Sequence, residues 1–398
     1  MVDREAKPEV DRSLWTHVLA GVLALFIAMG VGRFAYTPIL PLMQAQAHVT
    51  NSMAGYLASS NYLGYLVGAF AVGSASWFRR HRLRVYQWSL WINAFTTGAM
   101  AATENHWLWY VLRALSGLTS GFVFVVLASS MVLDELARRQ RSRLSGVLYG
   151  GVGLGIAVSG LAVPVFGGAA GWRGAWLGLM ILTIVIGIPA VLWMKDARDS
   201  SQTDMLQVTD RLRKLPPRTY FPWLVFAYGL EGLGYIITGT FLVALAAATP
   251  ALHRFAPYSW IVVGVAAVPS CIVWAYVAQR WGHITALVAA YVFQAVGVLL
   301  PIVVPSAMGV FLGSVLFGGT FMGITTTATT LGKSLRSTDG SQAIGLMTGV
   351  YGIGQVVGAV GAGVLAHHTG GFVLPTLVSS GVLFVGSGVL IIGTIRQE

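Results

Sequence analysis

Gly30-Val31-Gly32-Arg33-Phe34-Ala35-Tyr36-Thr37-Pro38 lies deep in the first long apolar run of the chain, and Gly232-Leu233-Gly234-Tyr235 stands in another such run 202 residues later. The same shift, without gaps, carries Gly117 and Gly121 onto Gly319 and Gly323, and Tyr149-Gly150 onto Tyr351-Gly352. Self-similarity at a fixed offset marks a duplicated unit. The second half therefore reads as a copy of the first, and the first and seventh apolar runs are equivalent. Glycine interrupts both, and Pro38 and Pro41 interrupt the first again. Broken helices at matching places in two repeats point to a ligand site near the bilayer midplane.

The composition makes the membrane the solvent. Of 398 residues 56% are hydrophobic and 10% charged, where a soluble domain carries about a quarter charged residues. The forty-nine glycines suit close helix packing and the thirteen tryptophans suit the headgroup level. Runs long enough to cross a bilayer begin near Leu14, Met53, Val85, Trp107, Leu144, Trp172, Tyr220, Tyr258, Ile284, Met308, Ala343 and Gly371. The expected fold is all-α: twelve transmembrane helices in two six-helix bundles, residues 14–194 and 220–395. Residues 1–13 form a polar N-terminal segment and 195–219 a linker between the bundles. The first run is too long for a signal peptide, so it is expected to remain as a helix.

The net charge of +11 matters through its placement. Twenty-one of the twenty-five basic residues fall on one side of the expected helices, in loops such as Arg79 to Arg84, Arg138 to Arg143 and Lys195 to Arg218. By the positive-inside rule that side is the cytoplasm, and both termini lie there. This placement argues for lipid and against nucleic acid as a partner. The single cysteine, Cys271, sits in an apolar run and can form no internal disulfide.

Arg173 and Arg254 fall on the outer side, which leaves Arg33 and Arg113 inside helices, with Glu231 as the one acidic residue so placed. A charge at such depth costs roughly 3 kcal/mol on insertion scales unless it meets a cavity or a partner. For the arginines the structural alternative is bonding to backbone carbonyls freed by Gly30, Gly32 or Pro38. The functional one is a planar, permanently charged fork that holds a carboxylate. Glu231 either neutralises an arginine or carries a coupling proton. Tyr36, Asn61, Tyr62, Tyr235, Thr238 and Gln355 could complete a pocket with Arg33, although each also suits a bond between helices. The run from Thr325 to Thr330 reads first as hydroxyls bonding helical carbonyls.

These motifs resemble those of the major facilitator superfamily over nearly the whole chain. Arg113, Gly117 and Gly121 match the spacing of the family's arginine-glycine motif, whose arginine the resemblance associates with proton coupling. Gly150, Ser159, Pro164, Gly167 and Gly168 resemble the glycine-proline motif of antiporters, with Ser159 and Val163 in place of two glycines. Gln279-Arg280-Trp281-Gly282 keeps the arginine and glycine of a duplicated loop motif, whereas its first copy, around Arg79 to Arg84, lacks the aspartate. More narrowly, Gly32 to Pro38, Tyr228 to Tyr235, Gly319 to Gly323 and Tyr351 to Gln355 resemble the YbfB/YjiJ branch, which implies a carrier in a bacterial inner membrane.

Gly30-Val31-Gly32-Arg33-Phe34-Ala35 satisfies a dinucleotide fingerprint on paper but follows no strand, and Gly332-Lys333-Ser334 lacks the first glycine of a phosphate loop. No histidine pair suits a metal. The expectation is a monomeric secondary transporter, not an enzyme, without metal or cofactor. It moves a small solute, read as an organic anion, by proton-coupled alternating access. Efflux of amphipathic or cationic compounds is the alternative.

Overall fold

A lipid-facing chain has no water with which to satisfy its backbone, so each segment must bond within itself, and helices result. The computed structural model describes residues 12–74, 76–127, 131–141, 144–195, 216–336 and 340–396. Helices and no strand occur among them, and ten helical stretches are long and apolar enough to cross a membrane. The N-terminal segment, apart from Arg12 and Ser13, and most of the expected linker lie outside the described residues.

The principal helices are α1 (Arg12–Leu25), α2 (Tyr36–Gln46), α3 (Asn51–Ser74), α4 (Arg82–Ala99), α5 (His106–Val126), α6 (Ser145–Trp193), α7 (Phe221–Ala248), α8 (Ala256–Trp281), α9 (His283–Val303), α10 (Ala307–Leu335), α11 (Gly340–Thr369) and α12 (Val373–Ile395). α6 is 49 residues long and turns at Ala170 and Gly171, where φ of +62° favours glycine. The Trp172 N–H at that turn donates to the Gln46 side chain at 2.9 Å. α3 and α4 stand where the second and third crossings are expected, with 24 and 18 residues, but are not among the ten. Asn61 of α3 and Asn93 of α4 are fully buried and face protein. Outward positions are apolar instead: Trp88 is 66% exposed, Phe95 69% and Leu161 60%, as a surface against lipid requires.

The first crossing is broken as its glycines suggest. α1 passes into a π-helical turn, Phe26–Val31, and then a turn over residues 32–35 whose end residues, Gly32 and Ala35, keep right-handed helical angles, before α2 resumes. Within it Gly32 N–H reaches back five residues to Ile27 at 2.8 Å, and Phe34 N–H to Met29 at 3.1 Å. The seventh crossing corrects the expectation that glycine interrupts it: α7 runs unbroken for 28 residues. Its glycines serve close approach, since a Cβ on Gly232 would collide with the Tyr351 carbonyl of α11.

Helices of the two halves of the sequence meet along three seams: α3 with α11, the first part of α6 with α8, and α2 with α7. Ser59 Oγ donates to the Val356 carbonyl at 2.9 Å in the first. In the third, Thr37 Oγ1 donates to the Gly239 carbonyl at 2.5 Å.

Candidate functional site

The turn between α1 and α2 presents Arg33 to the seam between the halves. The side chain is 2% exposed. One terminal nitrogen donates to Gln355 Oε1 of α11 at 2.6 Å and to the Tyr235 hydroxyl of α7 at 3.3 Å. Gln355 Nε2 in turn donates to that hydroxyl at 2.6 Å, which closes a three-membered network. The guanidinium carbon lies 4.5 Å from the Tyr65 ring centre and 4.9 Å from that of Tyr62, both on α3. Tyr62 crosses the seam too, its hydroxyl 2.9 Å from Thr240 Oγ1. Four expected pocket residues, Arg33, Tyr62, Tyr235 and Gln355, are therefore together.

Tyr36 and Asn61 belong to a second cluster, around Arg113. That guanidinium donates to the Gly32 carbonyl at 3.0 Å and the Arg33 carbonyl at 3.3 Å. Ser116 Oγ and Asn61 Nδ2 bond the same Gly32 carbonyl at 2.9 and 3.3 Å. Tyr36 lies beneath Arg113, with the ring centre 4.8 Å from the guanidinium carbon. The geometry is that of a clamp on carbonyls of the broken turn. Gly117 lets α5 come close enough to form it, since a Cβ there would meet the Asn61 carbonyl. Arg113 thus sets the backbone that aims Arg33. Thr238 is in neither cluster, its hydroxyl standing 3.5 Å from Ser379 Oγ of α12.

Glu231 is 0% exposed on α7. Oε1 accepts a long bond of 3.5 Å from Gln294 Nε2 of α9, and Oε2 has no hydrogen-bond partner. Among the described residues neither Arg33 nor Arg113 forms an ion pair with it, so the reading of Glu231 as an arginine's counterion finds no contact to support it. Tyr351 neighbours the carboxyl and stacks on Tyr235 at 5.6 Å. A path of contacts thus leads from Glu231 through Tyr351 and Tyr235 to Arg33.

Of the conformational motifs, Gly30 packs against Gly155 of α6, and Gly282 makes the turn from α8 to α9 with φ of +94°. Arg280 lies in the last turn of α8. Pro164 sits within α6 and Gly167 lies against Leu42, while Gly168 faces open space. Thr325, Thr326 and Thr329 donate to carbonyls within α10, as their structural reading expects. Tyr65 and Gln294 had drawn no notice, since one aromatic or amide residue in an apolar helix carries no local signal. No group of residues able to hold a metal ion occurs among the described residues.

A chain of this kind, multi-pass and helical with a buried arginine between the halves of its sequence, matches the MFS transporters. The chain belongs to the family described as uncharacterised MFS-type transporter YbfB, whose family model matches residues 25–391. Similar curated proteins include the uncharacterized MFS-type transporter YceJ of Bacillus subtilis (strain 168), 24% identical over 55% of this chain and 55% of that one. The hexuronate transporter of the same organism is 27% identical over 46% of this chain and 42% of its own length. The chain spans about half the length of these curated relatives. Among solved structures, the nucleoside transporter NupG shares the fold, with a TM-score of 0.66 at 10% identity over 96% of this chain and 98% of that one.

Proposed function

We propose that the protein is a proton-coupled secondary transporter of a small organic anion, acting as a monomer in the bacterial inner membrane with both termini cytoplasmic. Twelve crossings form two six-helix halves, 14–194 and 220–395, which rock about a central site. One observation carries the anionic cargo: Arg33, buried at the seam, is met only by neutral groups and ring faces among the described residues, and its Nε has no partner. A guanidinium so placed is a strong recognition group for a carboxylate, which it can take through two parallel bonds. When the seam opens, the anion replaces Gln355 and Tyr235 on Arg33. The similarity to a hexuronate transporter supports a carboxylate cargo.

Glu231 takes up the coupling proton. Its charge state acts on Tyr351, whose ring lies on Tyr235, and so on the grip that Tyr235 has on Arg33. The unpartnered oxygen of Glu231, set among tyrosines, favours a second reading, efflux of an amphipathic cation. Counterflow into liposomes holding the purified protein separates the two. Exchange of labelled monocarboxylates, lost in Arg33→Ala, is the expected result. Exchange of a lipophilic cation instead, retained by Arg33→Ala and lost in Glu231→Gln, would replace the anion reading with the exporter.

A further inference from the structure

Beside Arg33 the second half presents an ordered stack of rings. Tyr228 lies on Tyr351 at 4.4 Å and 17°, and Tyr351 on Tyr235 at 5.6 Å and 15°. Tyr235 lies on Phe321 at 5.9 Å and 5°, and Phe321 on Phe317 at 5.8 Å and 16°. These four near-parallel pairs follow one another in a single run, whereas a stacked pair elsewhere, such as Phe241 with Phe372 at 27°, stands alone, and others are crossed, such as Trp109 with Trp172 at 88°.

The stack borders the seam. Tyr235 bonds Arg33 across it, and Phe321 meets Phe34 of the first half in a T-shaped contact at 6.0 Å and 72°. Separation of the halves strips Arg33 and Phe34 from these rings and leaves the edges of the stacked rings bordering the space beside the guanidinium, where they can meet the face of a cargo ring edge-on. On the opposite wall Tyr62 and Tyr65 already lie against Arg33. The opened space is therefore a slot between aromatic walls with a charged fork at one end.

We infer that the cargo is a planar aromatic carboxylate, its carboxylate on Arg33 and its ring against the stack formed by Tyr351, Tyr235 and Phe321. The inference rests on the anion-carrier reading and deepens it. A benzoate-like ion keeps its carboxylate nearly coplanar with its ring, so a slot that receives the ring also aligns the carboxylate with the fork. A saturated ring of the same charge and similar size is puckered and has no π face. Edge-to-face contacts with one or two of these rings at about 0.5 to 1.5 kcal/mol each translate into a preference on the order of tenfold.

The test compares equilibrium binding of benzoate and cyclohexanecarboxylate to the purified full-length protein in detergent at neutral pH, where both acids are ionised. Phe321→Leu accompanies it, because that ring offers an aromatic edge and no hydrogen bond. Benzoate is expected to bind about tenfold more tightly, and Phe321→Leu to bring the two ligands within about twofold while still binding both. Equal affinity of the wild type for both, lost in Arg33→Ala, would overturn the aromatic cargo and leave the anion carrier standing. Preference for benzoate that survives in Phe321→Leu would also overturn it, since selectivity would then arise away from the stack. Binding of neither acid would overturn the aromatic cargo, and the anion reading would fall with it only if counterflow also finds no anion exchanged. Should Phe321→Leu fail to fold, the wild-type comparison alone decides between equal and unequal affinity.

Discussion

The two halves of the sequence match at several glycine and tyrosine positions 202 residues apart and differ in chemistry. Position by position at the repeat offset, the first half holds both buried arginines and two buried asparagines: Arg33, Arg113, Asn61 and Asn93 stand against Tyr235, Val315, Val263 and Ala295. The second half holds the acid and the amide that crosses the seam: Glu231 and Gln355 stand against Met29 and Gly153. In the first half, Arg113, Ser116 and Asn61 converge on one carbonyl of a broken helix. The second half leaves the equivalent helix α7 whole, and Trp274 and Ser270 bond the Gly319 carbonyl of α10 where α5 approaches α3 in the first. One half is built to hold a fixed charge on a distorted backbone. The other supplies a straight, ring-lined wall with a single ionisable carboxyl.

The sharpest break would come at Arg33. Arg33→Ala should weaken anion binding by about a hundredfold or more, the usual scale for removing one partner of a buried charged contact. Arg33→Lys, which keeps the charge without the fork, should recover only part of it. Equilibrium binding measures both, and unchanged affinity in Arg33→Ala would remove the cation's special role. At Glu231 the effect should fall on coupling: Glu231→Gln is expected to abolish proton-driven accumulation in liposomes and flatten its dependence on pH. Counterflow exchange should continue, because Gln keeps the shape and cannot ionise.

The next two changes are smaller. Arg113→Ala should lower stability by about 1 to 3 kcal/mol through the buried carbonyls it leaves under-bonded. Its repeat mate Val315, 45% exposed to the lipid side, should tolerate Ala within about 0.5 kcal/mol. Thermal unfolding of the two variants compares the halves directly, and equal losses would contradict their division of labour. Thr37→Val removes the hydroxyl that reaches Gly239. It should shift the population away from the state in which α2 and α7 touch by about fivefold, near 1 kcal/mol for one hydrogen bond. Distances between spin labels on α2 and α7 would report that shift.

Most helix positions were legible because lipid leaves the chain few options, and apolar length is what it tests. The starts of α3 and α4 were legible to within a few residues although polar groups dilute them, since Asn61 and Asn93 lie within otherwise apolar runs. The behaviour of α7 was not, because the same glycines serve either a break or a close contact, and only the Tyr351 backbone opposite Gly232 selects the second. Arg33, Glu231 and Arg113 stood out as charges in an apolar setting. Their partners divided: Gln355 and Tyr235 could be picked as polar groups on adjoining helices, while the separation of Tyr36 and Asn61 into the Arg113 cluster depends on which way the turn before α2 rotates.

Arg33 touches Tyr235 and Thr37 touches Gly239, each pair being 202 residues apart, which is the repeat offset itself. Equivalent points of two units meet each other only on the axis that relates them. Had the two units once been separate, identical chains arranged in this way, each of these residues would have faced its own twin. Threonine against glycine's backbone survives that test, but arginine against arginine does not, since like charges in a dry interior repel strongly. The contact of Arg33 with Tyr235 therefore depends on the two halves differing at this position, and a sequence made symmetric there would bring two guanidiniums together.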